Sequence, residues 1–353
     1  VKQVEPSAEI EVASTSFGMT PEWQGTLRAS LPEDVRLRMF PARGNRTWHL
    51  SPQLWRWTWK AVPHYDVLHI HAAFNPISTG CAWIARRRRK PYILRPLGTL
   101  SPYTFSHGKA SLKRLYYALF ESRTASGAAA LHFTAAQEKE KALRLGLRPK
   151  AKVIPLPYDG PVRSFKRDER QPVFLFLGRL DPVKGLELLL QAFAIVQKKR
   201  PDARLVIAGG GDVKYEAHLQ GLAKELGLLQ SVEFAGYVEG EKKEYLLATA
   251  TAFVMPSYQE NFGMAAVEAM AAGLPVIVTR GVDLWPDVES YRAGIVVEHE
   301  LEPLASAMLR LLEDQCLRSS MGQNGVTLVR EEYHPRVIGR ALLDMYREAI
   351  NTE

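Results

Sequence analysis

Two segments carry residue types at spacings that suit an anionic, polyhydroxylated ligand. The first is PSYQENFGMAAVEAMAAGLPVIV, residues 256–278. It reads as a strand ending at Pro256, a short loop with Glu260 and Asn261, a helix starting near Phe262–Gly263, and a return strand. At such a helix start the backbone N–H groups of Phe262, Gly263 and Met264 lack intrahelical partners. Together with the helix dipole they make a site for a phosphate or diphosphate, and Gly263 lets an anion approach the backbone closely. Glu268 follows Glu260 in a Glu-x7-Glu spacing. It would stand about 7–8 Å further along the axis at ~1.5 Å per residue, close to the span from diphosphate to ribose. A carboxylate there can accept two hydrogen bonds from a ribose diol. The plainer alternative is a surface Glu before a helix and an exposed Glu within it. The intervening residues and the run AMAAGLPVIV weaken that alternative, because they also fit a phosphate-binding loop, helix and return strand.

The second segment is GRLDPVKGLELLLQAF, residues 178–193. The strand before it ends at Gly178, and the loop then offers Arg179 and Lys184 at the carboxyl edge of a sheet, where open α/β sheets bind ligands. Two cations on a diphosphate each contribute roughly 1.5–3 kcal/mol in charge-assisted bonds. Solvated loop residues are an equally good reading of this segment alone. A third loop, GGGD at 209–212, reads as a plain turn, and no Walker A sequence occurs.

Smaller constellations have structural readings beside functional ones. His69 and His71 alternate on the strand VLHIH and share a face; a packed pair is favoured over a metal site because no Asp, Cys or further His lies at ligand spacing. Trp55, Trp57 and Trp59 recur every second residue in LWRWTWK, which suits sugar stacking, a bilayer interface or half-buried packing. The run Arg86–Lys90 suits the negative end of a helix dipole or anionic lipid headgroups, and SLKRLYYALFESR (111–123) is placed on the same surface.

The elements that position these residues form two α/β series with parallel sheets. In the first half, 67–71, 91–96 and 129–134 read as strands, with helices near 76–89, 108–124 and 136–146. In the second, 172–178, 204–210, 232–236, 252–256 and 275–279 read as strands, with helices near 184–199, 214–226, 241–249 and 263–272. The polar stretch 159–172 reads as the linker. EIEVAS could already be a second strand, so the chain reads as lacking the first strand, its Gly-rich turn and the following helix.

Composition agrees. A length of 353 residues points to two domains, and 46% hydrophobic with 24% charged residues excludes a disordered chain. No apolar run reaches the ~18–20 residues of a spanning helix, and no signal peptide is read at the N-terminus. Two distant cysteines, Cys81 and Cys316, argue against a disulfide framework and fit a reducing cytoplasm. Residues 1–168 carry a net charge of +15 and residues 169–353 one of −7. That asymmetry suits an anionic partner of the first half: nucleic acid, a membrane surface or an acidic substrate, with a solvated basic face as the alternative.

At Gly-Arg-Leu-x-x-x-Lys-Gly, the Glu-x7-Glu segment and EAMAAGLPVIV together, the chain resembles the retaining nucleotide-sugar glycosyltransferases of glycosyltransferase family 4. The resemblance covers most of residues 172–280 and extends more loosely beyond. It implies the GT-B fold: two Rossmann-like parallel-sheet domains facing a central cleft. Their implied bounds are an acceptor-binding domain over 1–168, a nucleotide-sugar-binding domain over 169–334, and a terminal helix over 335–353 that crosses back to the first domain. By the same resemblance, Arg179 and Lys184 hold the donor diphosphate as it leaves, Glu260 contacts donor-sugar hydroxyls, and the backbone from Asn261 through Phe262 and Gly263 to Met264 cradles phosphate and sugar. Glu268 then binds the ribose, and Tyr237 and Val238 meet the base. The implied chemistry is glycosyl transfer with retention, by same-face attack with an oxocarbenium-like transition state. It needs no cofactor and, since no Asp-x-Asp occurs, no metal.

The implied partners are a nucleotide-sugar donor, a saccharide or lipid-linked acceptor bound mainly by the basic first half, and an anionic membrane surface at the cytoplasmic face; nucleic acid is not expected. A sugar-nucleotide epimerase, a pyridoxal-dependent phosphorylase and a catalytically silent homologue stay as alternatives, as does a nucleic-acid binder. The sequence also departs from the family pattern. Leu97 stands between Pro96 and Gly98 where the family often has His, with Arg95 nearby, and only Asp159 keeps its place in IPLPYDG (154–160).

Overall fold

The computed structural model describes residues 1–45, 48–100, 110–147, 149–162, 165 and 171–351. The chain divides into two compact units, Val1–Ile154 with Ile338–Glu353, and Pro155–Val337. The boundary expected at 168–169 and part of the expected linker lie outside the described residues.

Unit 2 is built on a six-stranded sheet. Its strands are β7 (Val173–Leu177), β8 (Arg204–Ala208), β9 (Val232–Gly236), β10 (Ala252–Met255), β11 (Val276–Thr279) and β12 (Gly294–Val297). All pairings are parallel, in the order β9-β8-β7-β10-β11-β12. The chain starts in mid-sheet, works outward one way and then the other, so a switch point lies between β7 and β10, where crevices for ligands form. The sheet is covered on both faces. Phe174 and Phe176 of β7 belong to one core with Leu186, Leu190 and Phe193 of α7 (Leu186–Lys199), whereas Leu175 and Leu177 belong to the other with Val267 and Met270 of α10 (Met264–Ala271). Burial on both faces is why the inner strands β7, β8, β10 and β11 read as unbroken apolar runs. The other helices of unit 2 are α8 (Val213–Glu225), α9 (Gly240–Thr249), α11 (Trp285–Tyr291), α12 (Leu301–Glu313) and α13 (Gln315–Glu332).

Unit 1 opens with a parallel pair, β1 (Ile10–Thr15) and β2 (Val35–Phe40), around α1 (Pro21–Ser30). EIEVAS thus starts the first strand that the structure describes. A four-stranded parallel sheet follows, in the order β3 (Leu68–His71), β4 (Tyr92–Arg95), β5 (Ala130–Phe133), β6 (Ala151–Val153). Helices α2 (Pro52–Ala61) and α3 (Pro76–Arg87) precede and follow β3. A helical segment in three parts links β4 to β5: α4 (Ala110–Tyr116), a π-helical turn Tyr117–Glu121, and α5 (Ser122–Ser126). Helix α6 (Ala136–Leu143) leads to β6. The last helix, α14 (Pro335–Ile350), packs Ile338, Met345 and Ala349 on Ile93 and Ala130 of this sheet.

The three tryptophans of LWRWTWK lie on α2, so their alternate spacing splays them instead of aligning them on one face. Trp55 donates its indole N–H to the Ile77 carbonyl, Trp57 packs against Phe40, and Trp59 stacks on Trp83. Among the described residues no helix is long and apolar enough to cross a membrane.

Candidate active site

Three loops meet at the carboxyl edge of the unit 2 sheet. After β7 the chain makes a short 3-10 turn, Pro182–Lys184, capped by Asp181, whose carboxylate accepts from the Val183 N–H at 3.1 Å. Gly185 then takes φ +68°, and a Cβ there would lie 2.2 Å from the Pro256 carbonyl oxygen. Only glycine permits that approach, which ties the Arg179–Lys184 loop to the end of β10. Tyr258 donates its N–H to the Val183 carbonyl, adding a second tie. On the far side, Glu260 is fixed through its backbone, donating to Gly281 and accepting from Asp283, both at 2.9 Å.

This scaffold brings Lys184 and Glu260 into a direct ion pair, with side chains only 16% and 20% exposed. Glu268 projects from α10, whose neighbouring residues Ala266, Val267, Ala269 and Met270 are all buried. A carboxylate in such a setting requires a partner. It finds one in Lys243 of α9, 3.1 Å away. Lys243 is a site residue that the sequence reading missed: 25 positions separate it from Glu268, and no local spacing connects them. Tyr158, from IPLPYDG, also lies near; burial foremost, and the Glu268 charge next, push its hydroxyl above the ordinary value.

The remaining expected residues divide. Gly178 ends β7 and donates its N–H to Ala208. Arg179 pairs with Asp181 at 3.1 Å and is otherwise open to solvent. Tyr237 is 74% exposed, with its hydroxyl on Glu239, whereas Val238 packs against the core. Asn261 precedes Phe262, whose side chain is a core anchor set edge-on to Tyr333 at 5.3 Å; only its backbone is available to a ligand. Met264 is partly buried, and the helix begins there, one residue later than expected. The N–H groups of Phe262, Gly263 and Met264 precede the first bond of the helix, which Ala266 donates to Gly263. Gly263 needs to be glycine for a different reason from the expected anion approach. Its φ is +89°, and a Cβ would press on Met255, Val282 and Leu284, on the core side. The GGGD loop lies flat against Gly178–Leu180: Leu180 donates to Gly210, and Asp212 caps α8.

The carboxyl edge of the unit 1 sheet is different in kind. His69 and His71 do share a face, with ring centroids 4.4 Å apart, and His132 of β5 joins them from 63 residues away. The Ile154 carbonyl accepts from His132 Nε2, so His132 Nδ1 is an acceptor for His69 Nε2–H, and His69 Nδ1 accepts from the Tyr346 hydroxyl. This order fits only neutral rings. Burial, and then neighbouring charge, hold His69 down to about 2 and His132 down to about 4, and His71, at the solvent edge beside Arg95, lies below the ordinary value. Among the described residues no group of His, Cys, Asp and Glu is arranged to hold a metal.

Three non-glycine residues at this edge, Ala72, Phe74 and Leu97, have left-handed φ angles of 75°, 56° and 56°. Such strain persists only where surroundings enforce it. Here two buried carboxylates do so: Glu121 accepts from the Phe74 N–H, and Glu138 from the Gly98 N–H at 2.7 Å. Burial pushes Glu121 up to about 7. Arg95 lies beside His71 in register, and its Nε is buried without a hydrogen-bond partner among the described residues.

A doubly wound parallel sheet with a Lys–Glu pair, a glycine-led helix and a carboxylate one turn along it is the arrangement expected of the second domain of a GT-B fold. Two family models match this chain: the glycosyl transferase 4-like domain over residues 8–159, and the glycosyl transferases group 1 over 162–327. The chain belongs to the GT4-type glycosyltransferases. An uncharacterised glycosyltransferase of Methanocaldococcus jannaschii is 32% identical over 222 residues, 62% of this chain and 56% of that protein. The D-inositol 3-phosphate glycosyltransferase of Corynebacterium kroppenstedtii is 33% identical over 204 residues, 54% of this chain and 45% of that one. The matched chain thus spans about half the length of these relatives. Among solved structures, Anabaena HepE in complex with UDP and glucose superposes with a TM-score of 0.74 at 19% identity, covering 92% of this chain and 89% of that one. Sucrose-phosphate synthase from Thermosynechococcus elongatus gives 0.71 at 21% identity, covering 99% and 98%. These establish the fold.

Proposed function

We propose that this protein transfers a glycosyl group from a nucleoside diphosphate sugar to a saccharide or lipid-linked acceptor, with retention and without a metal, in polysaccharide or glycolipid synthesis. The observation that carries the reading is the paired arrangement Lys184–Glu260 and Lys243–Glu268 on one sheet edge, with an uncapped helix start beside them. The complexes of HepE with UDP and with UDP-glucose support a nucleotide-sugar donor. That both family models and the named relatives are glycosyltransferases speaks against an epimerase or a silent homologue.

In this reading the donor diphosphate exchanges Lys184 away from Glu260 and recruits Arg179 from Asp181. Glu260 is then free to accept from sugar hydroxyls, Asn261–Met264 present backbone to phosphate and sugar, and Glu268 accepts from the ribose diol. Tyr237 and Val238 meet the base. The bond from the anomeric carbon to the diphosphate oxygen breaks as the acceptor oxygen bonds to the same face, and a departing phosphate oxygen takes the acceptor proton. The cations stabilise the charge that develops on the leaving group. Unit 1 supplies the acceptor side through its basic surface, at the inner face of a membrane. Calorimetric titration with UDP, GDP and ADP, each with and without EDTA, tests this. One nucleotide is expected to bind regardless of EDTA, and absence of binding to all three would overturn the donor site.

A further inference from the structure

The Arg86–Lys90 run and its surroundings have no part in the donor site. From Val35 to Phe120 the chain contains 15 Lys and Arg residues and one acidic residue, Asp66. Part of this charge is arranged with exposed aromatic surface on α2 and α3, which pack together in unit 1. Trp59 of α2 and Trp83 of α3 stack at 6.2 Å between centroids, yet remain 41% and 52% exposed. Arg88 lies over Trp59 at 5.1 Å and Arg87 over Trp83 at 5.2 Å. The helix C-terminus explains one or two cations but not this many. At Arg89 the backbone is left-handed, with φ 53°, at a position where glycine closes helices without strain.

Helix α3 also packs against α5, and the helical segment leading into α5 exposes Leu115, Leu119 and Phe120, the first and last 55% and 49% accessible. Leu115 and Leu119 are one turn apart and share a face. Exposed aromatics, aliphatics and cations on helices that pack together match the composition of a bilayer interface: tryptophan at the headgroup level, aliphatic side chains below it, arginine on the phosphates. A nucleic acid is the poorer fit. Bases need an open aromatic face, whereas here the rings stack on each other and carry guanidinium groups, and the adjoining leucines offer a polyanion nothing.

We infer that the α2–α3 surface, centred on Trp59, Trp83, Arg87 and Arg88 and extended by the Leu115–Phe120 segment, docks the protein on an anionic lipid bilayer. This deepens the membrane part of the reading above by naming the surface, and does not depend on donor chemistry. The test is co-sedimentation of the full chain with phosphatidylcholine vesicles with and without phosphatidylglycerol, over a salt series. Binding is expected only with phosphatidylglycerol, falling as salt rises. Trp59→Ala with Trp83→Ala is expected to weaken it about tenfold by removing interfacial contact. Arg87→Gln with Arg88→Gln, which leaves both tryptophans in place, is expected to weaken it by about 30-fold, from ~1 kcal/mol per cation near such a surface. No pelleting, equal pelleting with neutral vesicles, or unchanged binding by the arginine pair would overturn the inference. So would tight binding of single-stranded RNA by a chain that ignores vesicles. UDP, GDP and ADP titrations of the same variants separate the two readings: nucleotide binding that persists while vesicle binding fails removes the docking surface alone.

Discussion

In unit 2 the carboxyl edge of the sheet holds its charges in opposite-sign pairs, Lys184 with Glu260 and Lys243 with Glu268, each partly open to solvent. In unit 1 the same edge holds imidazoles kept neutral by burial, an arginine whose buried Nε has no partner among the described residues, and three strained residues clamped by carboxylates behind them. The first arrangement is exchangeable. An anionic ligand can take a lysine from its carboxylate and leave the carboxylate to a hydroxyl, so little new desolvation is needed. The second is fixed. Its hydrogen bonds run in one direction from Tyr346 to Ile154, and its backbone is held away from relaxed angles. Within one fold, one edge is organised to trade partners and the other to hold a shape.

The sharpest way to break that comparison is Lys184→Ala. If the lysine is exchanged onto the leaving diphosphate, donor turnover is expected to fall by roughly 10²–10³-fold, the scale of a lost group that stabilises developing charge. A loss in KM alone, with kcat unchanged, would show that Lys184 only anchors the ground state.

The fixed edge is tested by pH. The unfolded chain protonates its histidines near 6.5, and the folded unit protonates His132 only near 4 and His69 near 2. The stability these neutral rings confer is therefore full above pH 6.5 and drains as the pH falls through that range. His71 adds less, because it lies at the solvent edge. Glu121 acts oppositely. Its folded value near 7 lies above the ordinary 4.5, so it gains stability as pH falls between those values. The net expectation is a loss of about 1–2 kcal/mol per pH unit below 6. Glu121→Gln should steepen it. Hydrogen exchange resolved by unit is the measurement, and equal acid sensitivity in both units would contradict the contrast.

A smaller effect sharpens the exchangeable side. Glu268→Gln is expected to weaken nucleotide binding about tenfold, the loss of a charge-assisted bond. Lys243→Met should change it only about 2–5-fold, since a partly exposed ion pair contributes little net free energy. Calorimetry that ranked these two in the opposite order would make Lys243 a direct ligand contact.

Much of this was legible in the chain. The strands of unit 2 buried on both faces read as apolar runs at their observed places, and the helix carrying Glu268 differs from expectation by a residue at each end. Burial and period are local properties, so sequence reports them well. The every-second-residue spacing of LWRWTWK does not align its tryptophans, because Pro52 after Ser51 starts a helix there; of the readings open to the segment, half-buried packing holds for Trp55 and Trp57. Gly263 was legible as a special glycine, but its reason was not: the crowding comes from Met255, Val282 and Leu284, none of them helix neighbours.

By itself the sequence determined the strands and helices around the candidate site, the loops that carry Arg179, Lys184, Glu260 and Glu268, and the charge contrast between the halves. These follow from neighbour-to-neighbour propensity and from composition. The strands Val35–Phe40 and Gly294–Val297 and the helices Pro52–Ala61, Leu301–Glu313 and Gln315–Glu332 were not read from the sequence. The tertiary structure alone decided that Lys243 neutralises Glu268, that His132 completes a chain with His69 and Tyr346, and that Trp59 meets Trp83 under two arginines. Each of those contacts joins residues on different elements, and only packed sheets and helices bring such residues within bonding distance.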